Sequence, residues 1–194
     1  MIRDQETLKQ LIDLINRFVR EKLVPRESEL AESGVLPEDI LEEMKELGLF
    51  GLTIPEEYGG LGLTMEEEIQ VAIALGRTSP AFRSIMGTNN GIGSAAIVFN
   101  GTEEQKQKYL PKYASGEWIS CFCLTEPGAG SDAASLKTSA IRDGGQYIIN
   151  GTKRYITNAK VADTFNVMAR TNPSIQGAHG ISSFIVDRNT PGIT

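Results

Sequence analysis

The sequence predicts an α+β chain, with an all-α N-terminal domain over residues 1–115 followed by an antiparallel, barrel-like β-domain over residues 116–194 that is incomplete at its C-terminal end. Three observations carry this division. Before residue 115, apolar residues recur at intervals of three and four, the spacing of a helix with one buried face. After residue 116 they alternate at two, and strong turn pairs separate the runs. A block of helices followed by a block of strands defines either an α+β arrangement or two separate domains, and two domains joined near residue 115 is the reading adopted.

Leu8, Leu11, Ile12, Ile15, Phe18 and Val19 form the first helical stripe. Pro25 has no amide hydrogen and is expected to bar simple continuation. A second helix is expected from Pro37, whose fixed φ suits a first turn, through Ile40, Leu41, Met44 and Leu47 to Gly48. Thr64 with Glu67 has the spacing of a capping box ahead of Ile69, Ala72 and Ile73. Thr102 with Gln105 repeats it before Tyr109 and Leu110.

In the second half, Trp118, Ser120, Phe122 and Leu124 alternate with Ile119, Cys121 and Cys123, as in a strand covered on both faces. Asp143-Gly144 and Asn150-Gly151 are expected hairpin turns flanking Tyr147-Ile148-Ile149, because both pairs favour the positive φ of type I′ loops. The next strand is expected to carry Tyr155-Ile156-Thr157, with further strands from Thr164 to Arg170 and Ile181 to Asp187. Asn189-Thr190-Pro191-Gly192 is then a turn signal. Roughly four to six strands without closure leave an exposed edge, so the chain reads as interrupted.

Composition excludes several classes. Apolar residues make up 40% and charged residues 23%, so there is no signature of disorder. No run approaches the ~20 apolar residues of a membrane span. The start, Met1-Ile2-Arg3-Asp4, has no apolar stretch behind a basic residue, and Asp4 and Glu6 come too early for a transit peptide. A cytoplasmic protein is expected. The net charge of −6 argues against a nucleic-acid footprint, which needs a basic stripe. Residues 1–115 hold 12 Lys and Arg against 19 Asp and Glu, so the acidic surface belongs to the helical half, where a charged face is ordinarily just solvated.

Four features invite over-reading. Gly91-Ile92-Gly93-Ser94-Ala95-Ala96 fits a dinucleotide-binding fingerprint, but a helical region precedes it and Pro stands at 111, where an acidic residue would be needed. It reads as close helix packing or a helix break. Asn100-Gly101-Thr102 and Asn150-Gly151-Thr152 match the glycosylation sequon but read as turns. His179 sits in a loop composition, with no triad around it. Cys121 and Cys123 would share one strand face, where neighbours so close rarely form a disulfide. With a single histidine in the chain they read as buried structural thiols, and no metal is expected.

The stretch that carries chemistry is Leu124-Thr125-Glu126-Pro127-Gly128-Ala129-Gly130-Ser131-Asp132. It leaves a strand, turns at Pro127 and Gly128, and presents hydroxyls beside main-chain amides. Glycines let a ligand approach the backbone, and successive N–H groups can form an anion-binding nest. The same residue types also build ordinary surface loops, and the chemistry alone leaves both readings open.

Cys123 through Asp132 resembles the flavin-site signature of acyl-CoA dehydrogenases. Four further segments are similar to that family in the same order: Ile54-Pro55-Glu56-Glu57-Tyr58-Gly59-Gly60-Leu61-Gly62, Gly101-Thr102-Glu103-Glu104-Gln105-Lys106, Tyr147 to Lys153 followed by Tyr155-Ile156-Thr157-Asn158, and Thr190-Pro191-Gly192-Ile193. The resemblance implies an N-terminal helical domain, a central β-domain and a C-terminal helical bundle. It also implies FAD as cofactor, an acyl-CoA substrate, an electron-transfer flavoprotein as acceptor, and a homo-oligomer, dimer or tetramer.

Carried over by motif position, Phe122, Leu124 and Thr125 are expected along the flavin ring edge. Gly130 and Ser131 are expected at the phosphate region, with Ser131 also near the acyl-CoA. Tyr155, Ile156 and Thr157 are expected to face the ring, the Thr157 hydroxyl near the nitrogen that accepts hydride. The family usually has Trp where this chain has Tyr155. Its catalytic base, a Glu, lies in the C-terminal bundle, so no catalytic residue is assigned and Glu126 is expected to have a structural or orienting role. The 194-residue chain alone is expected to be inactive and to bind FAD weakly, because a neighbouring subunit normally completes the cofactor site. The helix around Met86 to Asn90 is an expected contributor to chain-length selection. Two other readings stand beside this one. One is a relative on the same scaffold, namely an acyl-CoA oxidase, a nitroalkane oxidase or a flavin-dependent monooxygenase. The other is a non-catalytic binding or assembly module.

Overall fold

A computed structural model describes residues 5–194, so the leader reading made on Met1 to Asp4 lies outside the described residues. The chain divides after Ile119 into a helical unit and a sheet unit. The last helix ends at Ser115, but Ile119 still packs into the helical core, which puts the joint a few residues beyond the periodicity change.

The first unit holds α1 (Gln5–Phe18), α2 (Glu27–Ser33), α3 (Glu38–Glu46), α4 (Met65–Leu75), α5 (Pro80–Asn90), α6 (Ala95–Asn100) and α7 (Glu103–Ser115). Its core gathers Ile15, Phe18, Leu23, Ile40, Met44, Phe50, Leu75 and Phe82, the inward positions of these helices. Pro25 does not end the first helical run outright. A π turn over Val19–Leu23 and a 3-10 turn over Val24–Arg26 lead into α2, with Pro25 in the first turn of the 3-10 segment, where a missing N–H costs little. Pro37 stands at the N-cap of α3 rather than inside it, and Gly48 takes a left-handed φ of 70° after its end.

Both expected capping boxes form. Thr64 accepts from the Glu67 amide while its own N–H donates to the Glu67 carboxylate at 2.7 Å, and Thr102 with Gln105 does the same for α7. On α4, however, Ile69 and Ile73 are exposed together with Met65, and Val71, Ala74 and Leu75 face the core. The helix is apolar on two faces, so spacing alone could not choose between them. Gly91 to Ser94 of the GxGxxA stretch form the turn between α5 and α6, and Ala95 and Ala96 open α6.

Polar stitches complete this unit. The Asn90 amide donates to the carbonyls of Leu49 at 2.6 Å and Met86 at 3.1 Å, and the Asn89 amide donates to those of Tyr113 and Trp118. Met86, Thr88, Asn89 and Asn90 are buried, and the two asparagines are engaged by main chain within the unit. The Tyr58 hydroxyl donates to Glu103 at 3.0 Å, joining the 54–62 loop to the start of α7. Burial, then that hydrogen bond, pushes the Tyr58 hydroxyl up to about 12. Gly60 is required by a close approach, since a Cβ there would lie 2.0 Å from the Ile54 carbonyl oxygen.

The second unit holds β1 (Ser120–Cys123), β2 (Ser139–Asp143), β3 (Gln146–Asn150), β4 (Thr164–Arg170) and β5 (Ile181–Asp187) in one sheet. The expected antiparallel sheet is in fact mixed. Along one edge of β4, β5 pairs antiparallel from Thr164 to Arg170. Along the other, β1 runs parallel beside Thr164 to Val167, and β2 meets β4 in parallel only at Arg170. A period of two is common to both pairings, so alternation could not tell them apart. The long path from β1 back to β4 supplies the crossover that parallel pairing needs.

Asp143-Gly144 does open a hairpin, with Gly144 at φ 58° and β2 pairing antiparallel with β3. Asn150-Gly151 does not. Gly151 lacks a positive φ and sits where a Cβ would come 2.2 Å from Thr138 Oγ1, so this glycine permits a close crossing rather than a tight turn. The expected strand at Tyr155-Ile156-Thr157 is absent. Residues 151–163 form an irregular strap of turns, with Tyr155 at φ 57° and Asn158 at φ 66°, values that no strand contains.

Candidate cofactor-binding site

The pleat of β1 sorts its side chains. Cys121 and Cys123 point to one face and are 0% and 5% exposed, their sulfurs 3.6 Å apart, hydrogen-bonded and not joined in a disulfide. The hydrogen bond shared with Cys123, and burial, push the Cys121 thiol up. Ala162 joins them, with Ile156, Phe165 and Val167 packed alongside. Phe122 alternates to the opposite face, half-buried. The Ile156 side chain is thus committed to the cysteine cluster, and its main chain is what it can offer a ligand.

Beyond β1 the chain passes through half-buried Leu124 and Thr125 into a turn closed reciprocally, Glu126 N–H to the Ala129 carbonyl at 2.9 Å and Ala129 N–H to the Glu126 carbonyl at 3.2 Å. Gly130 and Ser131 follow, exposed. Among the described residues, the amides of Gly130 and Ser131 and the hydroxyls of Thr125, Ser131 and Thr157 take no protein partner. A Cβ at Gly128 or Gly130 would meet nothing within 4 Å, so a ligand can reach the main chain there.

Glu126 is the knot under this loop. It is buried and accepts from the Lys137 amide at 2.6 Å, the Thr138 amide at 2.8 Å, the Thr138 hydroxyl, and Lys153 Nζ at 2.9 Å. Burial alone would raise its pKa, but the hydrogen bonds from Thr138, Lys137 and Lys153 outweigh it and hold the carboxyl at about 2. A carboxylate so engaged is an anchor and a poor proton acceptor. Lys153 Nζ also donates to the Leu124 carbonyl at 3.0 Å, and the Arg154 amide donates to the Thr125 carbonyl at 2.8 Å. These bonds bring the strap carrying Tyr155 and Thr157 alongside Leu124 and Thr125. On the other side, the Arg170 guanidinium donates to the carbonyls of Ala134 at 2.6 Å and Ile175 at 3.0 Å, tying the 133–136 segment to β4.

Sequence reasoning missed Lys153 and Arg170. Lys153 lies between Thr152 and Arg154 and Arg170 closes β4, so neither stands out in the sequence as a charge with a structural partner. His179 lies exposed in a 3-10 turn, Ala178–Gly180. Among the described residues, no group of three or more His, Cys, Asp or Glu could hold a metal, and no helix is long and apolar enough to cross a membrane.

The sequence profile of the acyl-CoA dehydrogenase N-terminal domain matches residues 5–117 and that of the middle domain residues 121–194, so the chain belongs to the acyl-CoA dehydrogenase family. Among its relatives, an acyl-CoA dehydrogenase of Bacillus subtilis (strain 168) is 40% identical over 181 residues, 93% of this chain and 48% of the relative. A glutaryl-CoA dehydrogenase from Mycobacterium smegmatis in complex with FADH2 superimposes with a TM-score of 0.86 at 35% identity, covering 98% of this chain and 47% of that one. The prolyl acyl carrier protein oxidase AnaB does so at 0.86 and 32%, covering 98% and 51%. The chain thus spans about half the length of these relatives.

Proposed function

We propose that this chain is the flavin-facing portion of an FAD-dependent enzyme that dehydrogenates an acyl-CoA thioester between its α and β carbons. The observation that carries the reading is the set of unpartnered donors at Thr125, Gly130, Ser131 and Thr157, held over a buried Glu126–Lys153 pair. A flavin has a hydrogen-bonding ring edge and a pyrophosphate, and these donors match both. FAD, when bound, supplies the hydride acceptor, because the cofactor carries the hard step and the protein orients it.

Each residue has a part in that reading. Phe122, Leu124 and Thr125 border the ring edge. Gly130 and Ser131 meet the phosphate region, with Ser131 also toward the substrate. Tyr155 and Thr157 face the ring, and Ile156 contributes main chain. Hydroxyls and amides suit developing charge because they donate without adding a competing nucleophile. The proton-abstracting base is assigned to no residue of this chain. The bonds around Glu126 support leaving it out. An electron-transfer flavoprotein as acceptor and a homo-oligomer belong to the same reading through the family. The oxidase reading draws on the likeness to AnaB.

The full-length protein should bind FAD, and an acyl-CoA should bleach the flavin absorbance anaerobically. Thr157→Ala should slow that reduction by about tenfold, the scale of one lost charge-directed hydrogen bond. A protein that takes up no flavin defeats the proposal, and unchanged reduction removes Thr157 from the site. Rapid reoxidation of the reduced flavin by dissolved oxygen alone would select the oxidase. The 194-residue chain by itself should bind FAD weakly and turn nothing over. Turnover with an artificial acceptor contradicts that expectation.

A further inference from the structure

The strap over residues 151–163 is anchored at both ends by cations. At its start, Lys153 and Glu126 form an ion pair at 2.9 Å with side chains only 11% and 7% exposed, and Lys153 also holds the Leu124 carbonyl. At its far end, the Arg188 guanidinium, just past β5, donates to the carbonyls of Ala159, Lys160 and Ala162, and its own amide donates to the Asp163 carbonyl at 2.8 Å. Between the anchors lie Tyr155 and Asn158, both left-handed. Asparagine visits that region readily, whereas a tyrosine persists there only when the surroundings over-determine it. Burial does not supply the compensation at Tyr155, which is 79% exposed, with the Arg154 guanidinium over its ring at 4.6 Å. The left-handed backbone thus leaves the Tyr155 ring turned outward rather than packed in a core.

We infer that Lys153, acting through Glu126, and Arg188 are positioning residues that hold the strap in its strained form so that Tyr155 and Thr157 meet the flavin already oriented. The inference rests on the flavin reading above. Preorganisation of this kind lowers the ordering cost of binding. Gly151, crossing against Thr138, extends the device, because Thr138 is also a partner of Glu126.

The test uses the full-length protein and reads amide exchange in its flavin-free form together with FAD affinity. Lys153→Met should speed exchange of the Arg154 amide and weaken FAD binding, each by about tenfold or more, the loss expected of a buried charged hydrogen bond. Lys153→Arg should restore most of both. Since Lys153→Met strands a buried carboxylate and could unfold the unit, the double variant Glu126→Gln/Lys153→Met carries the decision. With the stranded charge gone its thermal midpoint should recover, while Arg154 exchange stays fast and FAD binding stays weak. Recovery of both in the double variant overturns the inference, because the pair would then only balance charge. So does Arg154 exchange that rises merely in step with Val167 and Phe184 of β4 and β5. If wild-type protein takes up no FAD, the flavin reading falls, and the exchange comparison still decides whether the clamp exists.

Discussion

Glu126 shows how much one buried carboxylate can organise. Its carboxyl stands at about 2 against an ordinary 4.5, so the unfolded chain takes up a proton first as pH falls. A depressed carboxylate contributes stability above about 4.5 that is lost as pH drops toward 2, and a shift of this size corresponds to roughly 3 kcal/mol. Glu126→Gln should therefore cost most near neutral pH, and its deficit should shrink between pH 4.5 and 2 in urea titrations. A deficit independent of pH would show that the bonds do not depend on charge. Gly151→Ala should cost about 1–3 kcal/mol by the same assay, the usual penalty of overpacking, because the added carbon meets Thr138. At this scale the sequence was legible where residue type implies environment. Cys121 and Cys123 share a buried face as their spacing required, and Glu126 is engaged as a structural group. Lys153 and Arg170 were not legible, because their partners, the Glu126 carboxylate and carbonyls lying chiefly far away in sequence, are encoded by no local pattern.

Elements were legible when their signals are local. The capping boxes at Thr64 and Thr102 formed as spaced, since each needs only four consecutive residues. Thr64→Ala and Thr102→Ala should each cost about 1 kcal/mol of stability in the helical unit, read as a lower thermal midpoint. An unchanged midpoint for both would mean that water replaces the caps without loss. The strap defeated the same approach. Tyr155-Ile156-Thr157 has strand-forming residues, yet the bonds from Arg154 to Thr125 and from Lys153 to Glu126 bend it out of strand geometry. Tertiary hydrogen bonds overrode propensity there. Strand direction was hidden for a related reason, since β1 and β4 became parallel through the route of the chain between them, which side-chain alternation does not record.

For the whole molecule, a helical region precedes a sheet as the two periodicities implied, and the family followed from motifs distributed along both. The two units also carry different natural reporters. The sole tryptophan, Trp118, belongs to the helical unit, half-buried with its ring 6.0 Å from Tyr109. The chain's two cysteines, both free and both buried, belong to the sheet unit. A thiol reagent should leave the folded chain untouched and label it only as the sheet opens, whereas tryptophan emission follows the helices. Pulsed labelling and fluorescence along one denaturant series would then time the two openings separately, with no added dye and no engineered residue.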